Sequence, residues 1–353
     1  MRKGKRLIAW IMAVVMLFTI CVFGGNRTAE AAATTPVAKH GRLSVKGADL
    51  VDSKGNKFQL RGISTHGINW DVGSPYVNKK AFKTLRDDWG VNAIRLAMYT
   101  EEYNGYCSGG SQAKLRKLVD KGVGYATDLG MYAIIDWHIL SDGNPNKNKS
   151  QAKKFFTTMA KKYKNNKNVI YEICNEPNGC GWKEIKSYAT DIIKTIRKYD
   201  KKAVIIVGTP TWSQLGTDGT SNEVADSPIK GYKNIMYSLH FYASEWAHNE
   251  YLPAKVAYAR KKKLPIIVSE FGLSPASGDG AINKASADKW MKLLNKYNIS
   301  YFCWSLSNKN ESASLLKPST KKTSGWKSGD LSTAGKYIKK KYLARKKALG
   351  KKA

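Results

Sequence analysis

Acidic residues are scarce in this sequence: 27 Asp and Glu stand against 60 Lys and Arg, for a formal net charge of +33. Such an excess suits anionic partners, whether nucleic acid, cell-wall polymers or membrane surfaces. No zinc-finger, helix-turn-helix or RNA-recognition signature accompanies the charge, so no nucleic-acid partner is expected. The lysines are instead scattered over helix-like stretches, "KKYKNNKN", "RKYDKK" and "RKKK", and over a basic tail, "GKYIKKKYLARKKALGKKA". A solvated lysine-rich surface is the plainer reading of that pattern.

Cysteine is also sparse, at five residues. No spacing among them matches a zinc site, so no metal is expected. Cys174 and Cys303 end apolar runs and read as buried free thiols. Cys107 and Cys180 sit in glycine-rich loops and form the expected disulfide pair, in a compartment that permits one.

Long apolar runs are missing after the first 23 residues, which excludes a chain that crosses a membrane repeatedly. The exception is the N-terminus. A basic "MRKGKR" precedes the apolar "LIAWIMAVVMLFTICVF", and alanines follow with signal-peptidase spacing at Ala29–Ala31 or Ala31–Ala33. This pattern reads as a secretory signal over residues 1–33, with an uncleaved anchor as the alternative. Ile20 before Cys21 argues against lipoprotein processing. The mature protein is expected outside the cell, as a soluble monomer.

A glycine-rich phosphate loop is absent as well. The first core strand ends in "RGISTHGINW", which disfavours a dinucleotide-binding doubly wound sheet. What is present is a repeating unit of short apolar run, loop and amphipathic helix. The runs are "FQLRGIS", "NAIRLAM", "MYAIIDW", "VIYEIC", "KAVIIVG", "NIMYSLHF", "LPIIVSEF" and "ISYFCWSL". Short runs without alternation suit strands covered on both faces. Eight such units predict a single (β/α)8 TIM barrel, preceded by short β-strands from about His40 onward. Its helices are plain except between "KAVIIVG" and "NIMYSLHF", where the signal is weakest. The expected boundaries are a catalytic barrel over residues 37–343 and a basic tail over 344–353.

In a barrel, polar residues at the ends of the strands converge on one face. Here that edge carries His66 and Trp70 after the first strand and Arg95 and Tyr99 on the second; His138 ends the third and Asn175 and Glu176 follow the fourth. His240 and Tyr242 end the sixth, Glu270 the seventh and Trp304 the eighth. Glu176 and Glu270 stand out because apolar runs deliver both. Two such carboxylates, one protonated and one nucleophilic, are what retaining glycoside hydrolysis needs. Taken singly, each has a plainer reading: Glu176 as a surface charge before Pro177, Glu270 as a lysine partner, His66 and His138 as core histidines, Trp304 as barrel packing.

The motifs "YEICNEPNG", "SLHFYA", "IIVSEFG" and "WSLSNKNESASLL", with "LRGISTHGINW" before them, together resemble glycoside hydrolase family 5, in its secreted bacterial endoglucanase branch, subfamily 2. The resemblance runs from about His40 to Leu343. It implies an endo-β-1,4-glucanase that cuts internal bonds of cellulose or related β-glucans with retention, without a cofactor. By the same resemblance Glu176 would be the acid/base and Glu270 the nucleophile. Arg95 would hold Glu270, with Tyr242 beside it. Asn175 would bind the sugar 2-hydroxyl, His240 would orient Glu176 and His138 would bound the cleavage subsite. Trp304 would floor that subsite, Trp70 and Trp212 would stack on sugars, and Lys309, Glu311, His66 and Tyr99 would line the cleft. Relatives often carry Asp where this chain has Asn308, a departure that bears on the non-reducing subsites and not on the catalytic pair. The same mechanism on mannan, xylan, xyloglucan or mixed-linkage glucan is the near alternative, and a non-catalytic carbohydrate-binding protein the distant one. A neutral glucan leaves the +33 charge unaccounted for; adsorption to anionic cell-wall polymers is the role that the basic surface suits.

Overall fold

A computed structural model describes residues 35–350, so the expected export signal over residues 1–33 and the last three residues of the expected tail lie outside the described residues. A short helix α1 (Pro36–His40) leads into an antiparallel hairpin, β1 (Ser44–Lys46) and β2 (Asp49–Val51). Eight strands follow: β3 (Arg61–Thr65), β4 (Ala93–Tyr99), β5 (Tyr132–His138), β6 (Val169–Glu172), β7 (Ile205–Val207), β8 (Ile235–Tyr242), β9 (Ile266–Gly272) and β10 (Tyr301–Leu306). All pair in parallel, each with its neighbours in sequence, and β10 closes on β3. This is the eight-stranded barrel that the apolar runs predict.

The helices of the outer ring are α2 (Lys79–Trp89), α3 (Gln112–Asp128), α4 (Lys149–Tyr163), α5 (Trp182–Arg197), the single turn α6 (Glu223–Asp226), α7 (Trp246–Lys261), α8 (Lys284–Lys296) and α9 (Thr333–Leu349). Local chemistry starts and stops them. The Asn78 side chain caps α2 by accepting from Ala81 N, and Gly90 ends it with a left-handed φ of 76°. On α5, Ile185, Tyr188, Ile192 and Ile196 recur at helical spacing and are buried against the sheet. Only the single turn α6 and the turn Pro210–Ser213 lie between β7 and β8, where the helix signal was weakest.

Side chains alternate between the helix layer and the barrel interior. The interior set changes character along each strand. At the lower end Ala93, Ile134, Ile170, Ile206, Met236 and Phe302 form an apolar plug, closed from below by Leu43, Leu50 and Phe58 of the N-terminal segment. Two residues further up, the same faces carry Arg95, Asp136, Glu172 and Ser238. Above these come His138 and His240. The apolar plug supports a polar floor, which is how the sequence positions the site.

Two expectations are corrected here. Cys107 and Cys180 are both free thiols, as are Cys174 and Cys303. Cys107 belongs to the loop after β4 and Cys180 to the loop after β6, with the loop of the intervening strand between them. The tail boundary drawn at residue 344 falls inside α9, which runs unbroken to Leu349. Arg345 on that helix donates from Nε to Gln59 Oε1 at 2.8 Å, so this segment is docked on the barrel.

Candidate active site

The upper ends of the strands enclose a cavity of about 610 Å³. All of the expected site residues line it except Arg95 and Asn175, which lie directly beneath, fully buried. The backbone beyond β6 carries Glu176 there: Asn175 N donates to Trp137 O and Glu176 N to Ile139 O, which continues the pairing with β5. Gly208 makes room for this turn. A Cβ at that position would lie 2.3 Å from Cys174 O and 2.7 Å from Pro177 Cδ.

An oxygen of Glu176, an oxygen of Glu270 and a ring nitrogen of His240 all lie within 4.8 Å of one another. So close an approach of two carboxylate oxygens suits the carboxyl pair ~5–5.5 Å apart that retaining hydrolysis uses. The environments of the two carboxylates differ. Burial pushes Glu176 up to about 8, with Asp136 and Glu172 adding to the rise and Arg95 opposing it. Both oxygens of Glu270 receive donors: Arg95 Nη1 at 2.9 Å and the Tyr242 hydroxyl at 2.7 Å. Gly272 lets the Tyr242 ring lie close, since a Cβ there would meet the ring at 2.5 Å.

Arg95 organises the floor. Its Nε donates to Glu172 Oε2 at 2.7 Å, and its Nη2 donates to Asn175 Oδ1 at 2.5 Å and lies 3.1 Å from Asp136 Oδ2. The Asn175 amide is therefore fixed in direction, and its Nδ2 donates to His138 Nε2 and to Ile139 O, both at 3.1 Å. That sets the His138 tautomer: Nδ1 carries the proton and donates to Asp136 at 2.6 Å. Burial holds His138 down to about 3 and His240 down to about 4, so both rings are neutral near pH 7. Burial raises Asp136 to about 7. His240 sits 2.7 Å from Glu176 through Nδ1 and 2.9 Å from the Ser269 hydroxyl through Nε2.

Aromatic rings form one wall. Trp70 and Tyr99 lie 4.6 Å apart, Tyr99 and His138 4.1 Å, and Trp304 stacks on His138 at 5.3 Å and 21°. His66 bridges Trp304 and Trp70 at 5.2 and 5.8 Å. Its Nδ1 accepts from Gly67 N, so Nε2 carries the proton and faces Glu311, 3.7 Å away. Glu311 is more than a surface ion: its side chain is only 6% exposed, and Lys309 contacts it at 2.5 Å. Opposite, Trp212 is 46% exposed on a turn whose Thr211, Trp212 and Ser213 all have left-handed φ of 53–63°.

Known proteins share this sequence and this fold. The Cellulase model, glycosyl hydrolase family 5, matches residues 51–310. The chain belongs to glycosyl hydrolase family 5. It is 47% identical over 341 residues to an endoglucanase of Clostridium saccharobutylicum, covering 95% of this chain and 72% of that one. It is 44% identical over 325 residues to Endoglucanase 5 of Pectobacterium carotovorum subsp. carotovorum, covering 92% of this chain and 62% of that one. Among solved structures, the endoglucanase catalytic domain of Thermobifida fusca superposes with a TM-score of 0.81 at 37% identity, covering 88% of this chain and 99% of that one. A variant of that domain in complex with cellotetraose superposes with a TM-score of 0.80 at 36% identity, covering 88% and 99%.

Within this family 5 barrel, several residues escaped the sequence reading. Glu172 is a carboxylate at the end of an otherwise apolar strand, and that contrast is the sequence signal for it. Glu102 and Glu245 line the cavity directly after β4 and β8, where the strand-end rule would have found them. Gln214, His248 and the 276–278 loop also line it, and loop conformation alone brings them there. Glu176, His240 and Glu270 are the group among the described residues that could converge on a cation. Their ligand atoms already engage one another, Ser269, Tyr242 and the Arg95 guanidinium. That donor set fits proton transfer and nucleophilic attack better than cation binding.

Proposed function

We propose that the chain is an endo-β-1,4-glucanase that hydrolyses internal bonds of cellulose and related β-glucans by double displacement. The observation that carries this reading is the pair Glu176 and Glu270, within 4.8 Å of each other in a cavity walled by aromatic rings. Glu270, directed by Arg95 and Tyr242, attacks the anomeric carbon and expels the leaving sugar. Glu176, kept protonated by burial, gives its proton to the departing oxygen. It then takes a proton from the water that releases the sugar from Glu270. His240 fixes the Glu176 carboxyl, and Trp304, Trp70 and Trp212 offer faces for sugar rings.

Asn175 reaches a sugar 2-hydroxyl from below by giving up one of its two amide contacts, to His138 or to Ile139 O. Lys309, Glu311, His66 and Tyr99 supply polar contacts along the cleft.

The reading includes export through residues 1–33, action as a monomer on a polysaccharide, and adsorption to anionic cell-wall polymers through the basic surface. The sequence pattern and the charge support these parts. Reducing-sugar release from a panel of carboxymethylcellulose, mixed-linkage glucan, xyloglucan, xylan and mannan tests the substrate. Dominant activity on mannan with none on carboxymethylcellulose would remove the glucanase assignment. Binding of glucan without hydrolysis, unaltered by Glu176→Gln, would remove the enzyme assignment altogether.

A further inference from the structure

The basic runs that look scattered in sequence are gathered by the fold. "KKYKNNKN" ends α4, "RKYDKK" ends α5 and "RKKK" ends α7. Each of these helices starts near the cavity end of the barrel and runs back down, so all three runs lie at the opposite end. The strands they lead into are β6, β7 and β9, and with β8, which the segment after α6 enters, these are consecutive neighbours in the barrel. Segments 159–168, 194–204, 226–234 and 258–265 together hold fifteen Lys and Arg against two Asp. The two aspartates are already engaged: Asp200 is buried beside Arg42, and Asp226 pairs with Lys262 at 2.8 Å. Lys164, Lys167, Lys198, Lys201, Lys202, Lys230 and the other lysines of these segments are exposed, and Arg197 and Arg260 are half-buried. Among the described residues only Lys162, Arg260 and Lys262 of this set form ion pairs.

The cavity end has the opposite sign. The eight loops after β3 to β10, at 66–78, 100–111, 139–148, 173–181, 208–222, 243–245, 273–283 and 307–332, hold ten carboxylates and six lysines; five of the lysines are in the last loop, and the other seven loops have only Lys147. Lys147 is paired with Glu101 at 3.0 Å. Helix-dipole complementarity accounts for lysines in a last turn. It does not account for Lys201, Lys202, Lys230 or Lys233, which lie beyond any helix end, nor for the near absence of interspersed acids. The packed helices α4 and α5 bring their basic ends to about 8–10 Å, near the ~8 Å Debye length at physiological salt, so charges on these neighbours act on a ligand together.

We infer that the face under β6–β9 binds a linear phosphodiester polymer without bases, of the polyol-phosphate class, and holds the enzyme with its cleft pointing away from that polymer. This deepens the adsorption reading above and rests on it. Three features select the ligand. The cations are thirteen Lys and two Arg, hydrated point charges that suit spaced phosphates rather than forked recognition of one epitope. Tyr163, Tyr199, Tyr232 and Tyr258 of these segments are buried or half-buried, with lysine ammonium groups over three of the rings, and the large exposed hydrophobic side chains Tyr103, Trp212, Trp246, Tyr251 and Leu343 lie elsewhere, so the face lacks a protruding platform on which bases would stack. A cavity of about 350 Å³ lies between the last two connections, with Lys233, Lys262 and Lys263 in a lining that is otherwise uncharged, and gives a polymer a place to seat.

The test compares two full-length variants of equal charge change. One carries Lys164→Glu, Lys201→Glu, Lys230→Glu and Lys261→Glu. The other carries Lys336→Glu, Lys340→Glu, Lys346→Glu and Lys347→Glu on α9. Affinity for poly(glycerol phosphate), polygalacturonate and duplex DNA is measured against salt, with carboxymethylcellulose hydrolysis assayed alongside. The expected result is a loss of at least tenfold in poly(glycerol phosphate) affinity, confined to the first variant. Its log–log salt slope falls by about 2–3, near 0.7 per lost phosphate contact, and hydrolysis is unchanged in both. Equal losses in both variants would overturn the location. Tighter wild-type binding to polygalacturonate or DNA would overturn the ligand class. No wild-type binding to any polyanion would remove the adsorption reading itself, whereas failure of hydrolysis alone would bear only on the glucanase reading.

Discussion

Arg95 donates from Nη1 to Glu270 Oε2 at 2.9 Å while its Nε donates to Glu172 Oε2 at 2.7 Å. One buried guanidinium thus ties the floor of the barrel to the carboxylate at its mouth. Arg95→Met should cost about 3–5 kcal/mol, because Asp136, Glu172 and Glu270 lose their shared counter-charge. Urea unfolding measures this. A loss below about 1 kcal/mol would show that the cluster does not depend on the cation.

The two glutamates should separate by leaving group. Glu176→Gln is expected to slow polysaccharide cleavage by about 10²–10⁴-fold, yet to retain the first step on an aryl β-cellobioside whose phenolate departs without protonation. Glu270→Gln should abolish turnover on both substrates. Burst kinetics on the aryl substrate read the difference, and identical behaviour of the two variants would contradict the assigned roles.

Activity requires Glu176 in its protonated form, so kcat/KM should fall as pH rises through about 8. The charge of Glu172 contributes to that elevation. Glu172→Gln should therefore move the alkaline limb to lower pH while keeping an acceptor for Arg95. A limb that stays in place, or moves upward, would separate the alkaline limb from Glu176.

Stability should peak near pH 6.5. His66, His138 and His240 are held neutral by burial at about 3, 3 and 4, below the ordinary 6.5. Their contribution is complete above pH 6.5 and is lost as pH falls toward 4 and then 3. Asp136 and Glu176 are raised to about 7 and 8, so their contribution is present at low pH and is lost as pH rises through those values. Above 6.5 only the second effect operates, at about 1.4 kcal/mol per pH unit for each proton. A melting temperature that climbs steadily from pH 6.5 to 8.5 would contradict this balance.

Trp212 should matter for substrate and little for folding. It is 46% exposed and left-handed at φ 53°. Trp212→Gly should raise KM severalfold while leaving stability unchanged or higher by about 0.5–1 kcal/mol, because glycine adopts that conformation without strain. Trp304→Ala, at a 6% exposed position, should lose both. A large stability loss in Trp212→Gly would mean that the indole packs as core.

Much of the site was legible because barrel strands deliver residues to a common edge. Arg95, His138, His240, Tyr242 and Glu270 could be placed by their position in an apolar run. Glu102 and Glu245 obeyed the same rule and were passed over. Glu172 was hidden by reading its strand as uniformly apolar. Gln214 and the 276–278 loop had no periodic signal, since loop conformation follows from packing rather than from pattern. The Cys107–Cys180 bridge failed because loop composition carries no information on distance.

The sequence by itself determined the eight-unit barrel and the order in which its strands present carboxylates, because both follow from periodicity along one chain. Only tertiary structure decided that Glu176 is buried enough to hold its proton, that Arg95 joins carboxylates from three other strands, and that three distant lysine runs share one face opposite the cleft. Burial and proximity are properties of the closed sheet, and no local stretch of sequence contains them.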